Sequence, residues 1–186
     1  MNNIFIEAES FKSKGGWVVD TTSMENIHSA YLMAHGMGIP VGDASTDFEI
    51  QDSGQYYIWA LTRDWTAVWN VKDPAGKYTI KIDGIDLDNI LGTNGNEWAW
   101  QLAGVVFLEK GIHAINLHDL TGFNGRCDAV FITNSAVIPS NNISDIDQMR
   151  KNFNWKEIKQ SQKQYDLVVV GGGIAGICTA LSASRK

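Results

Sequence analysis

Cysteine and proline are scarce in this 186-residue chain, which has only 2 Cys and 3 Pro. Two cysteines cannot build a disulfide framework, so an apolar core must provide the stability of the fold. Charged residues make up 19% of the chain and hydrophobic residues 44%, which excludes a disordered or coiled-coil protein. The length suits one ordinary domain and a short second segment.

Basic residues are scarce in the main body, where residues 1–140 carry 8 Lys and Arg against 17 Asp and Glu. Nucleic-acid binding needs clustered Lys and Arg to neutralise phosphates, so we predict no nucleic-acid partner. No basic and apolar leader precedes the first strand-like stretch, so no signal peptide is visible. We therefore expect a cytoplasmic location, although a chain that starts after a removed signal would look the same.

Residues 1–138 alternate apolar and polar side chains with a period of two, and no stretch among them has a convincing helical period. Gly, Asn and Asp bound the alternating stretches, as is typical of antiparallel strands, and Asp83-Gly84 indicates a hairpin turn. The predicted strands are Ile4–Glu9, Gly54–Leu61, Lys77–Ile82, Glu97–Leu108, Gly111–Leu117 and Cys127–Thr133. We predict a mainly β domain at 1–138, an antiparallel β-sandwich or jelly roll.

The pattern changes at Pro139. Ser144 and Asp147 have the spacing of a capping box and predict a short helix that ends near Phe153, within a linker at 139–163. Residues 164–186 predict a strand, a turn of three glycines and a helix, which together form one βα unit of a Rossmann-type domain.

Gly171, Gly173 and Gly176 match the G-x-G-x-x-G pattern of dinucleotide-binding turns. In that interpretation the first glycine permits the turn, the second lets the backbone approach a pyrophosphate, and the third lets the helix pack on the strand. A structural turn without a ligand is one alternative. A membrane helix over the uncharged residues 167–184 is the other, which three consecutive glycines disfavour, so we predict no membrane partner.

Tryptophan is abundant, with seven residues, and both faces of the predicted strand at residues 54–61 are apolar. One hypothesis is a sugar-binding surface in which indoles stack on sugar rings and polar groups bind hydroxyls. Its candidate residues are Trp59, Arg63, Trp65 and Trp98. The alternative, which we favour, is that the tryptophans fill the core or a joint with another domain. Arg126 is suited either to an acidic neighbour or to a substrate carboxylate, and the sequence does not decide between them.

Several motifs together resemble a galactose-binding-like β-sandwich, the architecture of many carbohydrate-binding modules. They are Ile6–Glu9, Gly54–Trp59, Lys81–Gly84, Trp98–Trp100 and Cys127–Ile132. In such sandwiches a matching Glu pair and an Asp bind a structural Ca²⁺. The resemblance therefore implies Glu7, Glu9 and Asp128 as Ca²⁺ ligands, with a solvated acidic face as the alternative.

A second set of motifs resembles the N-terminal region of a bacterial group of FAD-dependent oxidoreductases. It comprises Gly15–Asp20, Leu32–Gly36, Leu117–Asp128 and Tyr165–Gly176. This resemblance implies a full-length parent that binds FAD at the glycine turn and oxidises a carbohydrate-like substrate, with catalytic residues unknown. The remainder of the flavin domain would then be a partner of this chain, which by itself would lack a complete active site. The alternative is a non-catalytic carbohydrate-binding or interaction module.

Overall fold

Alternating apolar side chains form eleven strands in a computed structural model that describes residues 3–153 and 162–185. The chain divides into two units, Met1–Trp155 and Lys156–Lys186. All eleven strands belong to the first unit. They are β1 (Asn3–Glu7), β2 (Trp17–Asp20), β3 (Tyr31–His35), β4 (Ala44–Ile50), β5 (Gly54–Thr62), β6 (Tyr78–Ile82), β7 (Ile85–Asp86), β8 (Ala99–Leu108), β9 (Gly111–Asp119), β10 (Phe123–Cys127) and β11 (Ala129–Thr133). The helices are α1 (Met24–Ile27), α2 (Ile143–Phe153) and, in the second unit, α3 (Ile174–Ser184).

The strands form three sheets, ordered β1-β11-β5-β8, β10-β3-β2 and β4-β9-β6-β7, and the strand pairs between described residues are antiparallel. The predicted antiparallel sandwich is thus confirmed. Strands β2, β3 and β10 were not predicted because they are short, and β4 was missed because two of its inward residues, Ala44 and Thr46, give little apolar signal.

The predicted hairpin at Asp83-Gly84 joins β6 to β7, whose residues Ile82 and Ile85 pair across the turn. Both turn residues have positive φ, 51° and 82°. Two-residue hairpin loops of this kind match the twist of the flanking strands, and they favour Asp-Gly because an ordinary side chain is strained there.

The main core lies between the sheets. On β5, Ile58 and Ala60 point inward and are fully buried, and they pack in one cluster with Ile80 of β6 and Leu117 of β9. This face of β5 is the one that period-two alternation assigns to a sandwich interior.

A second apolar cluster covers the opposite face of the same sheet. Phe5, Phe131 and Trp59 stand side by side across β1, β11 and β5. Helix α2 packs its buried Ile146 on this cluster, and the backbone N–H of Trp100 donates to Asn141 Oδ1 at 2.8 Å. Residues 139–153 therefore belong to the sandwich unit rather than to a linker, because a sheet that is apolar on both faces needs a cover on each.

The second unit confirms the predicted helix as α3 but not the predicted strand. Within residues 162–173 the structure has no strand, and Val168 and Val170 are 68% and 93% exposed. An extended segment needs a hydrogen-bonding neighbour to become a strand, so the predicted Rossmann βα unit is not supported. Residues 154–161 of the predicted linker lie outside the described residues. No described helix is long and apolar enough to span a membrane.

Candidate functional site

Three aromatic side chains meet where the segment after β5 approaches the first residue of β10. The rings of Trp65 and Phe123 are stacked, with centroids 5.8 Å apart and an interplanar angle of 17°, and Trp69 meets Trp65 edge-on at 5.7 Å. Phe123 is 44% exposed and Trp69 is 64% exposed. We call Trp65, Trp69 and Phe123 the aromatic cluster. Large apolar side chains grouped at a surface are typical of a binding site.

Neighbouring backbone holds the Trp65 ring in place. Its indole Nε1–H donates to the Phe123 carbonyl at 3.0 Å. A Cβ added at Gly76 would lie 3.0 Å from two atoms of the ring, so the glycine allows the ring to lie against the chain. The buried Asp64 carboxylate accepts hydrogen bonds from the Thr66 N–H and hydroxyl, which fixes the loop on both sides of Trp65. The cluster is therefore preorganised.

A buried carboxylate organises the loops beside the cluster. Asp119, which is 1% exposed, accepts hydrogen bonds from the backbone N–H groups of Val41, Thr121 and Gly122. Gly122 has φ +64° and approaches the backbone of Ile39 so closely that a Cβ would lie 2.0 Å from its carbonyl oxygen. This tight crossing places Phe123 at the surface immediately after the turn.

Polar groups border the aromatic cluster. His35 Nδ1 donates to Asn124 Oδ1 at 2.8 Å, and both residues line a cavity of about 250 Å³ together with Met37, Gly122 and Phe123. This hydrogen bond leaves His35 Nε2 and the Asn124 amide nitrogen without a partner among the described residues. A ring face beside unpaired amide and imidazole groups is suited to a ligand that has both C–H and hydroxyl surfaces.

The structure separates the four residues predicted to form a sugar-binding surface. Trp59 and Trp98 are 8% and 9% exposed and lie in the second apolar cluster, so their assignment to an open surface is corrected in favour of the core. The half-buried Arg63 hydrogen-bonds Asn96, and only Trp65 belongs to the aromatic cluster. Sequence reasoning missed Phe123, whose signal was an aromatic residue inside the turn sequence Gly122–Gly125.

Arg126 on β10 places its guanidinium carbon 5.4 Å from the centroid of the Trp65 ring, a cation–π contact. The half-buried Arg63 lies close enough for the charge of Arg126 to lower its pKa, an effect that adds to the larger one of burial. Arg126 thus lies against the aromatic cluster, and Arg63 lies near Arg126.

Two of the three carboxylates predicted to bind Ca²⁺, Glu7 and Asp128, contact a different cation, the side chain of Arg150 from α2. Arg150 is 2% exposed, and its Nε donates to Glu7 Oε1 at 3.0 Å. Its other nitrogens donate to Asp128, to the Ile27 carbonyl and to Asp147. Glu9 accepts a hydrogen bond from Ser29.

Burial raises the pKa of all three of these carboxyl groups. It raises the pKa of Glu7 to about 7, against the opposing charge of Arg150, and it raises the pKa of Glu9 and of Asp128 as well. Among the described residues no group of three or more His, Cys, Asp or Glu is arranged to hold a metal ion. Ca²⁺ binding stays a prediction, and an ion here would share Glu7 and Asp128 with the guanidinium of Arg150.

The glycine turn of the second unit keeps part of the predicted fingerprint. Gly171 has φ +104°, and a Cβ on Gly176 would lie 2.1 Å from the Gly171 carbonyl oxygen, so both positions require glycine. Gly173 is the N-cap of α3. The close approach agrees with the expected roles of the glycines, but a nucleotide-binding turn also needs a paired strand before it, and residues 162–173 do not supply one.

The strand order and the two-sided central sheet define an antiparallel β-sandwich, and carbohydrate-binding modules are among the solved structures with a similar fold. A family 35 carbohydrate-binding module from Clostridium thermocellum is similar over 73% of this chain and 100% of its own, with a TM-score of 0.56 and 16% identity. The C-terminal family 6 module of a marine laminarinase from Zobellia galactanivorans is similar over 72% and 100%, with a TM-score of 0.53 and 18% identity.

A larger enzyme contains the same fold. The Podospora anserina β-(1,4)-mannanase, which joins a family 26 glycoside hydrolase to a family 35 module, is similar over 74% of this chain but only 28% of its own, with a TM-score of 0.56 and 17% identity. These identities show the fold alone. Comparison with protein-family models and with curated proteins finds no match.

Proposed function

We propose that residues 3–153 form a non-catalytic carbohydrate-binding module whose ligand rests on the aromatic cluster. The observation that carries the proposal is the stacked pair Trp65 and Phe123, with the largely exposed Trp69 against its edge. Aromatic faces bind the C–H surfaces of sugar rings without a large entropic cost, because these side chains are already held in place. The carbohydrate-binding modules of similar fold support the proposal.

The polar border agrees with a sugar ligand. Asn124 and His35 lie next to Phe123 in the same cavity, where one apolar face and a few hydrogen-bonding groups are available together. Small-ligand sites combine these two kinds of surface, with the apolar part providing affinity and the polar groups orientation.

The proposal is tested by screening the purified chain on a glycan array, followed by calorimetric titration of the oligosaccharides that bind. Phe123→Ala and Trp69→Ala are each expected to lower affinity by about 30-fold, since truncating a central aromatic side chain costs about 2 kcal/mol. Phe107→Ala is the matched control, because Phe107 is 63% exposed on β8 and lies outside the cluster. The absence of any binding on the array would contradict the proposal, and so would equal effects of all three variants.

A second candidate is that residues 162–185 begin a flavin-binding domain in a longer parent oxidoreductase. The observation in its favour is the requirement for glycine at Gly171 and Gly176, where the chain crosses itself closely. If FAD binds in the parent, it supplies the redox chemistry, and this turn would receive its pyrophosphate. The similar solved structures give this candidate no support. A yellow full-length protein that loses its flavin when Gly173 is changed to Val would support it, and a colourless one would contradict it.

A further inference from the structure

Two half-buried arginines beside the aromatic cluster have no carboxylate partner. Arg63 donates to the neutral amide oxygen of Asn96, and Arg126 lies over the ring of Trp65. Neither forms an ion pair with any residue in the described parts of the chain, whereas Arg150 has three carboxylates. The Nε atoms of both Arg63 and Arg126 are buried and have no hydrogen-bond partner there.

This arrangement is costly for the protein alone. A buried guanidinium N–H without a partner loses its hydration without gaining a hydrogen bond, and two like charges close together repel. The repulsion is visible in the lowered pKa of Arg63, to which Arg126 contributes after burial. The negative charges nearest in effect are those of Glu97 and Asp64, which interact electrostatically with Arg63, and that of Asp20, which interacts with Arg126. None of these three acids lies within ion-pair distance of either arginine among the described residues.

We infer that Arg63 and Arg126 bind an anionic group of the carbohydrate ligand, a carboxylate or a sulfate, while the aromatic cluster binds its ring. The inference rests on the proposed function and names the ligand class of the same site. The guanidinium group presents its donors as a planar fork that matches a carboxylate or an oxyanion with two parallel hydrogen bonds. The Nε atoms are buried, so an oxyanion between the two arginines would accept hydrogen bonds from their terminal guanidinium nitrogens and offset the repulsion between the two charges.

Position supports the same conclusion. Arg126 contacts Trp65, so an anion bound by Arg126 would lie beside the aromatic surface on which a sugar ring rests. The rest of the first unit is acidic, with 17 Asp and Glu against 8 Lys and Arg in residues 1–140. Two half-buried arginines close to each other concentrate positive charge at one place on an otherwise acidic unit, which favours recognition of an anion there.

The test is calorimetric titration with matched oligosaccharides: uronic acid oligomers, the same oligomers with carboxyl groups reduced to alcohols, and neutral backbones carrying sulfate. We expect the uronate or the sulfated oligomer to bind at least tenfold more tightly than the carboxyl-reduced one, and to weaken with added salt. Comparing the two acidic oligomers identifies the anion. Arg126→Gln and Arg63→Gln are each expected to remove most of the preference, because affinity for the acidic oligomer should fall more than affinity for the neutral one.

Lys12→Gln is the charge-matched control, because Lys12 lies on the surface in an ion pair with Asp47 and should leave the preference unchanged. Far-ultraviolet circular dichroism and thermal melting establish that the arginine variants are folded. Equal affinity for acidic and reduced oligomers would overturn the inference and leave the proposed function in place. No binding of any oligomer by the folded wild-type protein would overturn both.

Discussion

Removing the buried Arg150 is expected to destabilise the sandwich more than any surface change of equal charge. Its side chain is 2% exposed and binds Glu7 at the end of β1, Asp128 between β10 and β11, and Asp147 on α2 itself. Arg150→Met keeps much of the apolar stem but leaves buried carboxylates without a cation. Breaking a buried ion pair from one side costs about 3–5 kcal/mol. At about 2–4 °C for each kcal/mol in a domain of this size, the melting temperature should fall by roughly 6–20 °C.

Thermal and urea unfolding of Arg150→Met beside wild type measure this loss at pH 8. Lys12→Met is the control, since a surface pair contributes no more than about 1 kcal/mol. The loss should shrink at pH 5, where the abandoned carboxyl groups take up protons and become neutral. Adding Asp128→Asn to Arg150→Met should recover part of the stability at pH 8, because one uncompensated buried charge is then absent. A variant that melts within 2 °C of wild type at pH 8, or whose loss is the same at both pH values, would refute the reasoning.

Three further outcomes follow from single contacts. Burial raises the pKa of Glu7 to about 7 from 4.5, so between these pH values the folded state binds more protons than the unfolded state. The free energy of unfolding should therefore fall by at most about 3 kcal/mol as pH rises through this range. Urea unfolding of Glu7→Gln at pH 5 and 7.5 should show a smaller fall than wild type, and an identical fall would contradict this. Gly76→Val should displace the Trp65 ring, seen as a change in tryptophan fluorescence and at least a tenfold weaker sugar affinity, and an unchanged spectrum would argue against the packing. Gly84→Ala should lower the free energy of unfolding by about 1 kcal/mol, because the φ of Gly84 is +82°. Gly54→Ala is the control and should cost less, because a Cβ there also meets no neighbour but Gly54 has no positive φ. Equal losses in urea unfolding would reject the turn argument.

Local pattern was sufficient to predict several elements. The alternation of Tyr78–Ile82 and the turn residues Asp83-Gly84 act over a few positions, so the hairpin follows from side-chain alternation and from the backbone freedom of glycine. The apolar character of both faces at residues 54–61 likewise indicated that the sheet is covered twice. A short amphipathic helix near residues 144–153 was predicted and is α2, but its first turn is capped by Asn142, which accepts from the Ser144 N–H, rather than by Ser144.

Partners distant in sequence were decided only by the tertiary structure. Arg150 binds Glu7 across 143 positions, and Trp65 stacks on Phe123 across 58. No short-range pattern encodes such pairs, because they depend on which strand ends the sandwich brings together. The same reason applies to Trp59 and Trp98, for which the sequence favoured a core position without excluding a binding surface until the packing of α2 on the sheet was known. The sequence by itself thus determined that this is a β-sandwich with two apolar sheet faces, and tertiary packing decided which aromatic residues remain open to a ligand.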